Sequence, residues 1–244
     1  MKFNAFQLKI IALTLMFTEH VGRFLGELLP GKLPLYLRYA GRVVAPIFIF
    51  LVVESFFKTR DRGKYIFRLY VWAFIMQVGN ILLSWLVQST FHPANYYALD
   101  HNVMLSLATG VSMIAAFEWA RSQNGYRQWF GYALGVLFGI ASLYTEASIF
   151  GLAIFLIFYF LHENKPWVYY AYTALCLVVL AWNLHYFEHF WEFEFQWMMI
   201  AALPFLILYN GERGRFSLKY LFYTFYPLHL WGLYLMRFAM RLGR

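Results

Sequence analysis

Charge and cysteine are both scarce in this chain. Only 13% of its 244 residues are Asp, Glu, Lys or Arg, against roughly 25% in an average soluble domain. The 62% that are hydrophobic leave too little polar surface for a water-soluble globule. The single cysteine, Cys176, excludes an intrachain disulfide and suggests no thiol-ligand metal site. Its place in the apolar run Ala174–Ala181 is that of a small core residue. No polar interval is long enough to hold a folded soluble domain, and no internal repeat or low-complexity segment is present. These absences leave one class, an all-α polytopic membrane helical bundle forming a single transmembrane domain over residues 1–244.

The apolar stretches predict about nine transmembrane helices, near residues 6–28, 34–57, 65–90, 100–120, 129–144, 146–162, 167–187, 194–210 and 217–238, separated by charge, Gly, Pro or Asn. The fifth and sixth are short for a hydrocarbon layer that takes roughly 20 helical residues. Lys2 and Lys9 precede the first apolar run as in a signal peptide, but no small-residue cleavage site follows, so the first span is expected to be retained.

The formal charge of +8 is spread over short loops and forms no basic stripe, which argues against nucleic acid as a partner. The loops Lys58–Lys64, Arg121–Arg127 and Glu212–Lys219 are basic, whereas Phe91–Leu99 has no Lys or Arg and His185–Glu194 carries Glu188, Glu192 and Glu194. The positive-inside rule then predicts a cytoplasmic N-terminus. Nine spans put Arg237, Arg241 and Arg244 outside, so either a tenth span exists or the tail lies along the interface. Tyr and Trp, 19 and 9 in number, cluster near span ends (Tyr96–Tyr97, Trp129, Trp167–Tyr172) as an interfacial belt does.

Against this apolar background Glu19–His20 stands out. A charged acid at the centre of a membrane helix costs roughly 2.5–3.5 kcal/mol on insertion scales, which makes an intramembrane ionisable residue a functional candidate. Counting 1.5 Å per residue, His20 falls roughly 20 Å from the cytoplasmic edge, Arg42 roughly 12 Å below the outer edge, and His229 roughly 18 Å from the inside. Asp100, His101 and Asn102 open the fourth span and Glu146 opens the sixth, both near the outer side. These residues converge on one depth. Structural readings compete: Arg42 as a clamp on Glu19, Glu146 as an ordinary helix start, His229 and Asn102 as interhelical hydrogen-bonding residues. Arg38 shares a helix face with Arg42, and Pro46 removes the hydrogen bond to the Arg42 carbonyl, which predicts a kink there. His185 and His189 have metal-ligand spacing but read better as an interfacial loop, and no metal is predicted.

Leu8-Lys9-Ile10-Ile11-Ala12-Leu13 running to Glu19-His20, then Ala40-Gly41-Arg42-Val43-Val44-Ala45-Pro46-Ile47-Phe48, Arg68-Leu69 through Gln77, Asn102-Val103-Met104-Leu105, Glu146-Ala147-Ser148-Ile149-Phe150-Gly151 and Tyr226-Pro227-Leu228-His229-Leu230 together resemble, in order, the elements of the TraX family of membrane acetyltransferases. More distantly the set is similar to transmembrane acyl-CoA acyltransferases that modify extracytoplasmic glycans. The chain departs in having Glu rather than Asp before His20, and in lacking a polar N-terminal extension.

The resemblance implies acetyl-CoA as co-substrate, an extracytoplasmic protein or glycan acceptor with an amine or hydroxyl, and the bacterial inner membrane as location. On that basis His20 is the expected general base, with Glu19 or Glu146 orienting it. Arg42 or Asn102 is the oxyanion stabiliser and His229 a second acid/base. Lys58, Arg60, Arg62, Lys64 and Arg68, with Asn102, are the expected donor-binding residues, the cations meeting CoA phosphates. The rival class is a transporter or flippase, in which a buried His/Glu/Arg network serves as a relay.

Overall fold

A computed structural model of the chain describes residues 2–91, 98–184, 195–214 and 219–242. Among these residues the structure is helical, with no strand beyond an isolated parallel bridge between Phe3 and Tyr209. The chain divides into two compact units. One comprises residues 1–48, 82–99 and 164–244, the other residues 49–81 and 100–163. The His185–Glu194 segment, with its histidine pair and three glutamates, and Tyr96–Tyr97 and Arg244 lie outside the described residues.

In the first unit, α1 (Ala5–Phe24) opens with a capping box: Asn4 Oδ1 accepts the Gln7 N–H and Gln7 Oε1 accepts the Asn4 N–H, each at 3.0 Å. This satisfies two of the amides that a helix start leaves without partners. The preceding strand-like turn is pinned by Phe3 N–H to Leu208 O and Ala5 N–H to Glu212 O. Helix α2 (Leu33–Gly41) returns antiparallel along α1. Gly22 lets the two backbones meet, since a Cβ there would lie 2.8 Å from Leu37 Cβ and 2.9 Å from the Pro34 carbonyl oxygen. At Arg42 the helix breaks. Arg42 and Val43 donate to Tyr39 and Ala40 carbonyls three residues back, and α3 (Val44–Lys58) starts afresh. The predicted kink is this break, and Pro46 sits harmlessly in the first turn of α3, where no intrahelical donor is needed.

Later elements are α8 (Lys165–Leu184), a 3-10 helix Gln196–Ala202, α9 (Leu203–Ile207) and α10 (Lys219–Leu242). The α8 tyrosines anchor the 3-10 helix and α9: Tyr172 Oη donates to Met199 O at 2.5 Å and Tyr169 Oη to Leu206 O at 3.2 Å. Helix α10 packs on α1 through Phe17–Phe225 and Phe24–Tyr234.

The second unit is built around α5 (Val103–Arg121), α6 (Tyr126–Leu143) and α7 (Ser148–Phe160); α4 (Arg62–Phe91) contributes its first part. Gly131, Gly135 and Gly139 recur every fourth residue on α6 and are buried. A Cβ at Gly131 would meet Ala120, one at Gly135 the Phe117 ring and one at Gly139 the Met113 sulfur. This is the small-residue seam that brings membrane helices close without a hydrophobic driving force. Asn102 caps α5 by accepting the Leu105 N–H, and spends both amide protons on Ala73 O (3.0 Å) and Gln77 Oε1 (3.2 Å).

Four helical stretches are long and apolar enough to cross a membrane: Leu33–Lys58, Arg62–Thr90, Val103–Arg121 and Lys165–Leu184. The other expected spans coincide with helices that are more polar or shorter. Lys9, Glu19 and His20 interrupt α1, Pro227 and His229 interrupt α10, and the 13 residues of α7 cover only about 20 Å at 1.5 Å each. The chain is a membrane protein of all-helical build.

Candidate active site

The first unit brings Glu19, His20, Arg42 and His229 together. Glu19 and His20 lie on the buried stripe of α1, 7% and 3% exposed, and His229 on α10 is 8% exposed. Two residues before His229, Pro227 lies inside α10 and has no N–H to donate along the helix.

The hydrogen bonds have a direction that chemistry dictates. His229 Nδ1 lies 2.6 Å from the Phe225 carbonyl oxygen. A carbonyl can only accept, so Nδ1 carries the proton. When the His229 ring is neutral, its Nε2, 2.7 Å from His20 Nδ1, is the acceptor and His20 Nδ1 donates. The remaining nitrogen, His20 Nε2, faces Glu19 Oε2 at 3.2 Å. One proton lies between that nitrogen and that oxygen, and the chain of bonds ends at a backbone group that cannot titrate.

The other carboxylate oxygen, Glu19 Oε1, is buried and accepts no hydrogen bond. It lies 3.8 Å from Arg42 Nη2, an ion-pair distance too long for a hydrogen bond. Arg42 is held from its far side: Nη1 donates to Gln196 Oε1 at 3.0 Å, and the guanidinium sits 5.1 Å from the centre of the Phe195 ring. Arg38, one turn earlier on α2, lies at the same distance from that ring. Gln196 and Phe195 were not singled out from sequence. Gln196 is a polar residue in the apolar stretch Phe195–Leu208, a faint signal; one phenylalanine among 27 is none. The arrangement holds a proton-carrying couple, one carboxylate oxygen without a donor, and a positioned guanidinium beside it.

The remaining sequence candidates belong to the second unit, which is described by itself. Glu146 lies just before α7, where the next amide, Ala147 N–H, donates to Ser106 Oγ at 3.1 Å. In the basic loop, Lys58 pairs with Glu54 at 2.8 Å and Lys64 with Asp61 at 3.0 Å. Arg62 and Arg68 lie over Phe56 and Tyr65. Asp61 caps α4 by accepting the Lys64 N–H at 2.9 Å, and that bond, with the Lys64 ammonium, holds its carboxyl below the usual range. Two acids thus offset two lysines of the loop. Arg60 and Arg62, exposed where the loop enters α4, carry the planar donor fork that suits a phosphate.

The family model described as "TraX protein" matches residues 5–237. The chain is also 27% identical over 252 residues, 93% of each chain, to a protein of Dichelobacter nodosus described as "Probable fimbrial assembly protein FimC, serogroup H1". No solved structure matches it. A family match along almost its whole length, in a helical chain with several apolar spans, means that this protein belongs to the TraX family.

Proposed function

We propose that this chain is an acetyltransferase of the bacterial inner membrane, with about nine spans and a cytoplasmic N-terminus. It moves an acetyl group from cytoplasmic acetyl-CoA to an amine or hydroxyl of an extracytoplasmic acceptor. The fimbrial-assembly name of the Dichelobacter relative favours a pilin as acceptor and a role in fimbrial assembly; an envelope glycan is the other candidate. The observation that carries the reading is the directed hydrogen-bond chain from Glu19 through His20 and His229 to the Phe225 carbonyl.

In this reading the acceptor N–H or O–H approaches Glu19 Oε1. The acceptor atom attacks the thioester carbonyl carbon as its proton passes to Oε1, while the proton on Oε2 moves to His20 Nε2. His20 is the final base and Glu19 the relay. The positive charge that arrives on His20 is spread toward His229, and Arg42 faces the oxyanion of the tetrahedral intermediate. When the carbon–sulfur bond breaks, the proton returns along the same path to the CoA thiolate. Both His20 nitrogens are engaged in hydrogen bonding, which favours direct transfer over an acyl-histidine intermediate. The loop residues Lys58, Arg60, Arg62, Lys64 and Arg68 are the proposed phosphate partners of the donor. Asn102, with both amide protons committed, supports the start of α5.

Purified protein incubated with radiolabelled acetyl-CoA is expected to release or transfer label, and mass spectrometry of envelope proteins and glycans to show one acetyl mass lost when the chain is removed. Accumulation of an unmodified solute in proteoliposomes, with no acetyl chemistry, would instead identify a transporter. His229 provides a graded check. His229→Gln, whose amide oxygen can still accept from His20 Nδ1, is expected to keep more activity than His229→Phe. The phenylalanine leaves that buried N–H without an acceptor, at a cost of roughly 1–3 kcal/mol. Equal activity of the two variants would show that the His20–His229 bond does not matter to turnover.

A further inference from the structure

A hollow of about 350 Å³ opens at the turn between α1 and α2, lined by Gly22, Arg23, Gly31, Lys32, Pro34 and Arg38 among others. The volume is at the small end of ligand-binding cavities. Among the described residues its lining holds three cations and no Asp or Glu. Arg23 and Arg38 have no carboxylate partner among the described residues, and Arg38 Nε is a buried donor without an acceptor. The nearby Glu27 is already bonded to Arg237 at 3.2 Å, and Arg23, Arg38 and Arg42 all act on the one carboxylate Glu19. Among the described residues, Arg23 and Arg38 thus place more positive charge beside the candidate active site than the single carboxylate of Glu19 balances.

Two further features define what would fit. Guanidinium groups bind multi-oxygen anions through paired N–H donors, and two of them with an ammonium match a phosphate better than a single carboxylate. The rim is apolar and exposed, with Leu28 at 44%, Leu33 at 40% and Tyr36 at 58%, which suits a group presented at the edge of a bilayer. The hollow also connects to the catalytic couple: Arg38 lines it and shares the Phe195 ring with Arg42, the ion-pair partner of Glu19.

We propose that this hollow binds a phosphate group, carried either by the acceptor or by a lipid headgroup beside it, and holds it next to Glu19. The consequence for catalysis rests on the acetyltransferase reading; the binding itself does not. The full chain, purified in phosphate-free detergent, is titrated with glycerol 3-phosphate and, separately, reconstituted with phosphatidylglycerol and examined by native mass spectrometry. Saturable binding of glycerol 3-phosphate is expected, weakened at least tenfold in Arg23→Gln/Lys32→Gln and in Arg38→Gln. Because Arg23 and Lys32 are exposed, the double variant is expected to keep its melting temperature, and Arg38→Gln provides the second reading. Phosphatidylglycerol retained by the wild type and displaced by glycerol 3-phosphate identifies a lipid headgroup as the source. Glycerol 3-phosphate binding without lipid retention identifies a phosphate on the acceptor. No binding of either probe, or equal binding by wild type and both variants, overturns the proposal. Binding that depends on these cations in a protein inactive toward acetyl-CoA would sink the acetyltransferase reading alone, and active protein without binding would sink the hollow alone.

Discussion

Replacing His20 by asparagine is expected to lower acetyl transfer by about a thousandfold, within the range that general acid–base catalysis supplies, while the protein stays folded. The choice of asparagine follows from the direction of the hydrogen bonds. Its side-chain amide can occupy the place of Nδ1 and go on donating to His229 Nε2, so that bond, 2.7 Å in the native site, survives. What is removed is Nε2, the only atom of the ring that can take the proton from Glu19 Oε2. His20→Ala is expected to abolish transfer as well, but it also strips partners from His229 Nε2 and Glu19 Oε2. Buried polar groups left unsatisfied cost roughly 1–3 kcal/mol each, so the alanine variant confounds chemistry with folding. The two variants together separate the roles. If His20 only clamps α1 to α10, asparagine retains activity and alanine loses stability. If His20 is the base, both lose activity and only alanine melts earlier. Transfer at the wild-type rate in His20→Asn would end the assignment.

The parts of this site that were legible in the sequence are those whose cost is visible without coordinates. Glu19–His20 announces itself because an ionisable pair inside an apolar helix needs a reason. Arg42 and His229 follow from rise per residue, since depth along a helix is linear in residue number, and the structure brings all four residues together in one unit. The break at Arg42 was legible through Pro46, a residue with a fixed physical effect. What was not legible is whatever depends on rotation about helix axes. Depth does not say that His229 turns its Nε2 toward His20, nor that Nδ1 folds back on the Phe225 carbonyl, yet those two contacts decide which nitrogen holds the proton. Phe195 carries two arginines on one ring, but in an aromatic-rich chain no ring stands apart. The glycine seam of α6 and the short length of α7 bear on how many helices cross, because packing between helices sets tilt and span, and length with apolarity identifies only four.

The second large effect is expected at Gly41, a position with no chemistry of its own. It is the last residue of α2 and lies against α1 so closely that a Cβ built there would overlap Glu19 Cγ and sit 2.6 Å from Glu19 Cβ. Glu19 Cβ is attached directly to the backbone, so rotating the side chain cannot relieve the overlap. Either α1 and α2 separate or Glu19 leaves its place. Overpacking of this kind costs roughly 1–3 kcal/mol, only partly offset by the gain of up to about 1 kcal/mol that alanine has over glycine in a helix interior. The functional cost is larger. A displacement on the order of 1 Å in a catalytic group can reduce rate about a hundredfold, and here the group displaced is the relay oxygen between acceptor and His20. Gly41→Ala is therefore expected to lower transfer by about two orders of magnitude with a modest fall in melting temperature. Gly232→Ala, where an added Cβ meets nothing within 4 Å, is expected to leave both unchanged. Full transfer in Gly41→Ala would mean that the fit of α2 against Glu19 is not what holds the carboxylate in register, and would shift that role to Arg42 and its Gln196 support.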